Sequence, residues 1–250
     1  MLKWLSLRLR SRLPQHEACM HLQGGMQASL LKVSEAYYHG GYRFVHCTDI
    51  RGYYRHIRKC QVMAQVARYV PEPALMSLVS QYVHYSVENG GEFHTPEHGI
   101  PRSCALSPLI GGSLLRHIDG CFSSLDQENY FYVRYMDDFL LFTRTRWQLR
   151  RAISQLAEYF ELSGFERHPD KTQTGRLGRG FDWLGVWFDA NGPAIAPRAR
   201  ENHREQCLRL YEQARRQGAS DEEARVRVQA YVSRWQRWAD RTLMLCLPGN

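Results

Sequence analysis

Residues 130–142 read YFYVRYMDDFLLF. Two apolar, aromatic-rich runs, residues 130–135 and 139–142, flank Met136, Asp137 and Asp138. That is the pattern of a β-hairpin with acids at its turn. Asp tolerates tight-turn geometry, so an acidic pair at a hairpin tip is by itself only a turn. It becomes a site if the fold brings a third acid to the same edge, and the flanking sequence supplies one.

Residues 42–49, YRFVHCTD, are rich in aromatic and β-branched residues and end in an acid, which predicts a strand closing on Asp49. Residues 54–70 read as a helix stopped by Pro71 and Pro73. Leu75, Leu78, Val79, Tyr82 and Val83 keep helical spacing up to the Gly90–Gly91 break. Leu106, Leu109, Ile110, Leu114 and Ile118 mark another helix, capped near Ser107 with Pro108 in its first turn. The stripe Leu149, Ala152, Ile153, Leu156, Ala157 and Phe160 is amphipathic, and Gly164 stops it. FDWLGVWF, residues 181–188, reads as the last strand or hairpin. With the first helical pair set aside as an insertion, the order is β-α-β-β-α-β, the ferredoxin-like arrangement of an α+β protein. That topology places Asp49 beside Asp137 and Asp138.

The chain has 250 residues with 44% hydrophobic and 23% charged, which is ordinary for a folded protein and excludes a disordered or fibrous one. No apolar run is long enough to span a bilayer. Seven scattered cysteines without a CxxC pair argue against a disulfide framework or zinc knuckle, and for a reducing, cytoplasmic setting. The net charge of +8 points to a polyanionic partner, with nucleic acid first. Residues 1–13 carry Lys3, Arg8, Arg10 and Arg12 among leucines and are expected to form a packed helix with a solvated face. HEACMH at residues 16–21 lacks the spacing of a metal site, and His94, His98 and His117 make no metal set. His168 reads as a turn histidine, and Trp147 with the Leu149 stripe as core. After Pro197 arginine replaces lysine entirely. We therefore divide the chain into residues 1–190 and an arginine-rich helical unit, 191–250, broken near residues 218–221. In that unit Arg234 and Arg237, with Trp235 and Trp238, suit phosphate and base-stacking contacts.

Three carboxylates at one sheet edge repel one another, and a hard divalent cation removes the conflict. Mg²⁺ takes oxygen ligands and shares its shell with substrate phosphates. Two such ions about 3.5–4 Å apart activate a hydroxyl and stabilise a leaving pyrophosphate. On a basic chain, that chemistry is phosphoryl transfer on nucleic acid.

YMDD (residues 135–138) between apolar strands resembles the signature hairpin of reverse transcriptases, and four further segments resemble that family's motifs in order: TDIRGYY (48–54), GIPRSCALSP (99–108), SGFERHPDKT (163–172) and FDWLG (181–185). The series is similar to the bacterial reverse transcriptases of the group II intron and retron kind. The resemblance implies a right-hand polymerase with a βαββαβ palm, a helical finger insertion and a small helical thumb. It implies an RNA-directed DNA polymerase using two Mg²⁺ ions, with Mn²⁺ as a possible substitute. Asp49 and Asp137 would bind both ions, Asp138 would complete the cluster, and the Ile50 carbonyl would be a further ligand. Tyr54 matches the steric gate against a ribose 2′-hydroxyl, and Arg102 and Lys171 would contact the deoxynucleoside triphosphate. Tyr135 and Met136, with Trp183, Leu184 and Gly185 of the FDWLG hairpin and Arg234 and Arg237 of the thumb, would contact an RNA template and a DNA or RNA primer. Many relatives have Gln-Gly where this chain has Arg102 and Ser103, and Ser103 is expected to fit there only with negative φ. The family's triphosphate clamp in the fingers has no match before Tyr42, so a partner could supply it. Two other readings stand beside the polymerase: a template-independent nucleotidyltransferase, and a decayed polymerase that only binds RNA or hybrid duplex.

Overall fold

The computed structural model describes residues 1–249. Helix α1 (Leu2–Arg10) buries Leu5 and Leu9, one turn apart, and leaves Arg8 and Arg10 in solvent. Helix α2 (Gly25–His39) leads into strand β1 (Phe44–Asp49). The expected helix over residues 54–70 is two helices, α3 (Tyr53–His56) and α4 (Lys59–Tyr69). The loop before residue 101 causes the break: Gly99 N–H donates to the Ile57 carbonyl at 2.8 Å and Ile100 N–H to the Tyr54 carbonyl at 2.9 Å. Those carbonyls are therefore satisfied from outside the helix. Helix α5 (Pro73–Val83) starts on a proline, whose fixed φ suits a first turn. A small exposed hairpin, β2 (Val87–Asn89) and β3 (Glu92–His94), turns at Gly90–Gly91. The expected helix over 106–118 also divides, into α6 (Ser107–Leu114) and α7 (Arg116–Ser123).

Strands β4 (Tyr130–Tyr135) and β5 (Asp138–Thr143) form the YMDD hairpin. Helix α8 (Arg146–Ser163) opens on a Thr145 capping box and closes on Gly164 at φ 74°, a left-handed stop that glycine accepts without strain. The next strand, β6 (Gln173–Arg176), completes a four-stranded antiparallel sheet in the order β4-β5-β1-β6. This is the ferredoxin-like order, with one correction to the sequence reading. The fourth strand is the polar QTGR rather than FDWLGVWF. An edge strand with one neighbour and a half-exposed face needs no apolar run. FDWLGVWF instead supplies β7 (Phe181–Trp183) and β8 (Val186–Asp189), which with β9 (Gly192–Ile195) form a separate three-stranded sheet. The chain ends in two long helices packed on each other, α9 (Pro197–Arg216) and α10 (Asp221–Leu245), the second opened by a Ser220 capping box.

The four-stranded sheet is buried on both faces, which explains why β4 and β5 read as continuous apolar runs rather than alternating ones. Tyr130, Tyr132, Phe139 and Leu141 pack with α1, α3–α7 and α8 on one face. Phe131, Val133, Leu140 and Phe142 pack with α2, the β7–β8 hairpin and Cys246 on the other. Among the described residues no helix is long and apolar enough to cross a membrane.

Candidate active site

Asp49, the last residue of β1, is the cross-strand partner of Asp138, the first residue of β5, and Tyr135 is the partner of Asp138 from β4. Directly opposed residues in an antiparallel pair present side chains to the same face, with Cβ atoms about 4.5–5.5 Å apart. Asp137 sits at the tip between them, and its carbonyl accepts the Ile50 N–H at 3.2 Å. Asp49 is itself held by the His168 N–H on its carbonyl at 2.8 Å. His168 thus serves the edge through its backbone.

The turn is tight and strained. Met136 has φ 55°, left-handed and uncommon outside glycine. Beneath it lies an ion pair that the sequence reading missed. Arg134 donates from Nε and Nη2 to the Asp119 carboxylate at 2.7 and 2.5 Å, and from Nη1 to the Met136 carbonyl at 2.6 Å. Its Nη2 also reaches the Gly112 carbonyl at 3.2 Å, and Tyr132 donates its hydroxyl to Asp119 at 2.7 Å. Neither charged side chain touches solvent. Burial weakens the Arg134 charge, and the paired Asp119 more than offsets it, so the guanidinium stays protonated. The available signal was an arginine inside an apolar strand, which must find a partner.

The acids behave as a crowded anionic set. Burial, then Asp49, raises Asp137 above the usual carboxylate range, and burial, then Asp137 and Asp49, pushes Asp138 up to about 7. Three cations oppose this. Lys171 donates its ammonium to Asp49 Oδ2 and also acts on both other acids, Arg102 acts on Asp137, and Arg198 acts on Asp138. Arg198, at the start of α9, was not anticipated; it lies 3.8 Å from Asp182. Oxygen donors that resist ionisation together fit a hard divalent cation. Among the described residues no three acidic, His or Cys side chains are already gathered for one ion. The Lys171 ammonium takes the Asp49 carboxylate instead.

Tyr54 is 8% exposed, and its ring lies under α6, where a Cβ on Gly111 would come within 3.3 Å of it. Burial and then Asp137 raise its phenol, which puts the hydroxyl in the field of the turn. Gly99, at φ 86°, lets the GIPRSC loop lie against the Tyr54 and Arg55 backbone, which a Cβ would meet at 3.0–3.1 Å. Arg102 is exposed beside the acids. Ser103 corrects the sequence reading: its φ is 58°, so the serine stands in the left-handed region rather than at the negative φ expected of it. Leu184 (φ 51°) is the third non-glycine residue of this kind among the described residues, and all three lie in the quoted motifs.

A cleft of about 270 Å³ opens beside Asp138, between Lys171, Asp182, Leu184, Trp187 and Arg198. Trp183 does not offer its ring to a ligand as expected. It is 3% exposed, and its indole N–H donates to Ser29 Oγ at 3.0 Å, so it anchors the hairpin in the core. Leu184 and Gly185 form the tip, where a Cβ on Gly185 would lie 3.5 Å from the Trp238 ring. Arg234 and Arg237 are exposed on α10. Trp235 and Trp238 do not supply free stacking faces: Trp235 stacks on His203 at 3.9 Å and Trp238 packs on the hairpin. Trp147, expected in the core, is 66% exposed, because position 147 falls on the outer face of α8 while Leu149 points inward.

Residues 2–188 match the reverse transcriptase (RNA-dependent DNA polymerase) family, and the chain belongs to that family. Its fold is similar to telomerase from Candida albicans in complex with a TWJ fragment of telomeric RNA, with TM-score 0.56 at 15% identity over 77% of this chain and 38% of that one. It is also similar to apo telomerase from Candida tropicalis truncated from its C-terminal domain, with TM-score 0.55 at 11% identity over 78% of this chain and 44% of that one. The chain therefore spans less than half the length of these telomerases. No curated protein matches it at the sequence level.

Proposed function

We propose that this chain is a template-directed polymerase that adds deoxynucleotides to a primer 3′-hydroxyl on RNA, of the group II intron and retron kind. The observation that carries the reading is the register of Asp49 against Asp138, with Asp137 at the tip between their strands. Asp49, Asp137, Asp138 and the Ile50 carbonyl would hold two Mg²⁺ ions. When bound, the ions supply activation of the primer hydroxyl and neutralisation of the departing pyrophosphate. The rest is done by side chains. Lys171 leaves Asp49 for the triphosphate, Arg102 draws the nucleotide over the turn, and Tyr54 closes the space a 2′-hydroxyl would need. Leu184 and Gly185 hold the primer end against Tyr135 and Met136. Residues 1–190 act as palm with partial fingers. The exposed Arg234 and Arg237 of the helical thumb grip the duplex backbone.

The test is extension of a DNA primer annealed to an RNA of defined sequence, with all four dNTPs and Mg²⁺. Products complementary to the template support the proposal. Untemplated tails would favour the nucleotidyltransferase, and metal-independent hybrid binding without product would favour the binding module.

A further inference from the structure

The far end of the four-stranded sheet carries a second basic concavity that the polymerase reading does not use. It measures about 1060 Å³ and is lined by Arg43, Arg144, Arg146, Arg176 and Arg179 together with the rings of Tyr37 and Tyr42. All five arginines are exposed. Among the described residues none of the five forms an ion pair within 4.0 Å or donates a side-chain hydrogen bond to the protein. The acid in the lining, Asp189, is committed to its own turn, accepting from Trp187 Nε1 at 3.0 Å and Asn191 N–H at 2.8 Å. Asp126 feels Arg144 from outside the lining. Five cations around a concavity lined by a single carboxylate repel one another, and a polyanion relieves them.

Helix α8 adds an independent indication. Its N-terminus opens at this cleft with Arg146 as its first residue, no acid in its first turn, and Arg150 and Arg151 following. Cations at a helix N-terminus oppose the helix dipole, whereas phosphate there is favoured by the dipole and by the first-turn N–H groups left over once Thr145 Oγ1 has taken the Gln148 N–H. The next residue, Trp147, lies just outside the lining; it is 66% exposed with the Arg151 guanidinium 5.7 Å over its ring. An exposed indole next to arginines is the composition of a platform for unpaired bases.

The location separates this cleft from the acids. Arg43 and Arg144 sit at the opposite ends of β1 and β5 from Asp49 and Asp138, a strand length of roughly 17 Å at about 3.3 Å per residue. We propose that the cleft is a second nucleic-acid site, which takes the phosphodiester backbone of a single strand and stacks a base on Trp147. It goes beyond the polymerase reading and does not depend on it.

Binding of a labelled 15-nucleotide single strand to the full chain in EDTA, followed by anisotropy over a salt series, reads this site without catalysis. The variant Arg144→Gln/Arg176→Gln/Arg179→Gln is expected to bind at least tenfold more weakly, with the slope of log affinity against log salt shallower by about 2, at about 0.7 per phosphate for single strands. The three single substitutions step the slope by about 0.7 each, which keeps the test open if the triple variant is unstable. Trp147→Phe weakens binding several-fold without changing the slope. The titration is run with an RNA and with a DNA strand of one sequence: loss with RNA alone assigns the strand as RNA, loss with DNA alone assigns it as DNA, and loss with both assigns either nucleic acid; each result supports the site. Short primer-template extension by the same variants should stay within twofold of wild type, so a failed polymerase reading leaves the binding result intact. Unchanged affinity and slope in the triple variant, with Arg234→Gln/Arg237→Gln carrying the whole effect, would overturn the proposal.

Discussion

Arg134 and Asp119 form an ion pair closed to solvent on both sides, and the same guanidinium holds the Met136 carbonyl at 2.6 Å, one residue from Asp137. The geometry of the acidic turn is thus fixed from below by charges that cannot reach water. Removing one partner of such a pair leaves the other charged and buried, which typically costs about 3–5 kcal/mol. Arg134→Met is therefore expected to lower unfolding stability by that amount in urea titration. The double variant Arg134→Met/Asp119→Leu should recover a large part, because the isolated charge is gone. A double variant no more stable than the single one would contradict this account of the turn.

His46 links stability to pH. It is 1% exposed on β1, with Nδ1 2.7 Å from Thr174 Oγ1. Burial and then Arg167 lower it to about 4, against about 6.5 in an unfolded chain. The folded value lies below the unfolded one. The unfolded state therefore binds the extra proton between those values, and stability is full above pH about 6.5 and falls toward pH about 4. The loss attributable to this residue is on the order of 3 kcal/mol. Equilibrium unfolding at pH 7 and pH 4.5 should show a difference that His46→Gln reduces; an identical pH dependence in the variant would rule the residue out.

Ser103 at φ 58° carries a backbone conformation that costs a non-glycine residue about 1–2 kcal/mol. Ser103→Gly relieves the strain but loses about 0.5–1 kcal/mol to chain entropy, so thermal stability should hold or rise slightly. Ser103→Val should lower it by more than 1 kcal/mol, on the order set for strained positions. Equal melting of the glycine and valine variants would show that the loop is relaxed in solution.

Tyr54 offers a selectivity test. Tyr54→Phe keeps the ring under α6, while Tyr54→Val opens space beside Asp137. Incorporation of ribonucleotides relative to deoxynucleotides, measured as a ratio of kcat/KM, should rise at least tenfold in the valine variant and stay near wild type in the phenylalanine one. Similar ratios in all three proteins would remove Tyr54 from nucleotide selection.

Much of the fold was legible because it follows from local chemistry. The apolar runs around Met136–Asp138 marked a hairpin. The stripe from Leu149 to Phe160 with Gly164 marked a capped helix, and the order of elements brought residue 49 opposite residue 138. What was hidden depends on tertiary contacts. QTGR carries no apolar pattern because an edge strand is half in water. The break at Ile57 is made by Gly99, some forty residues away. Arg134 and Asp119 find each other only once β4 and α7 pack. Trp147 and Trp235 share a residue type but not a role: one stands in solvent, the other stacks on His203 between helices. Ser103 shows that a position can demand left-handed backbone even where the chain has no glycine to meet it.

Single-nucleotide incorporation on an RNA template with a saturating deoxynucleotide triphosphate and Mg²⁺, compared for wild type, Asp49→Asn and Asp137→Asn, tests the shared carboxylate site most directly. Loss of one metal carboxylate should remove several kcal/mol of transition-state stabilisation, about a thousandfold or more in rate, with hybrid binding and folding retained. Incorporation by either variant at the wild-type rate would contradict the assignment of these acids as the catalytic centre.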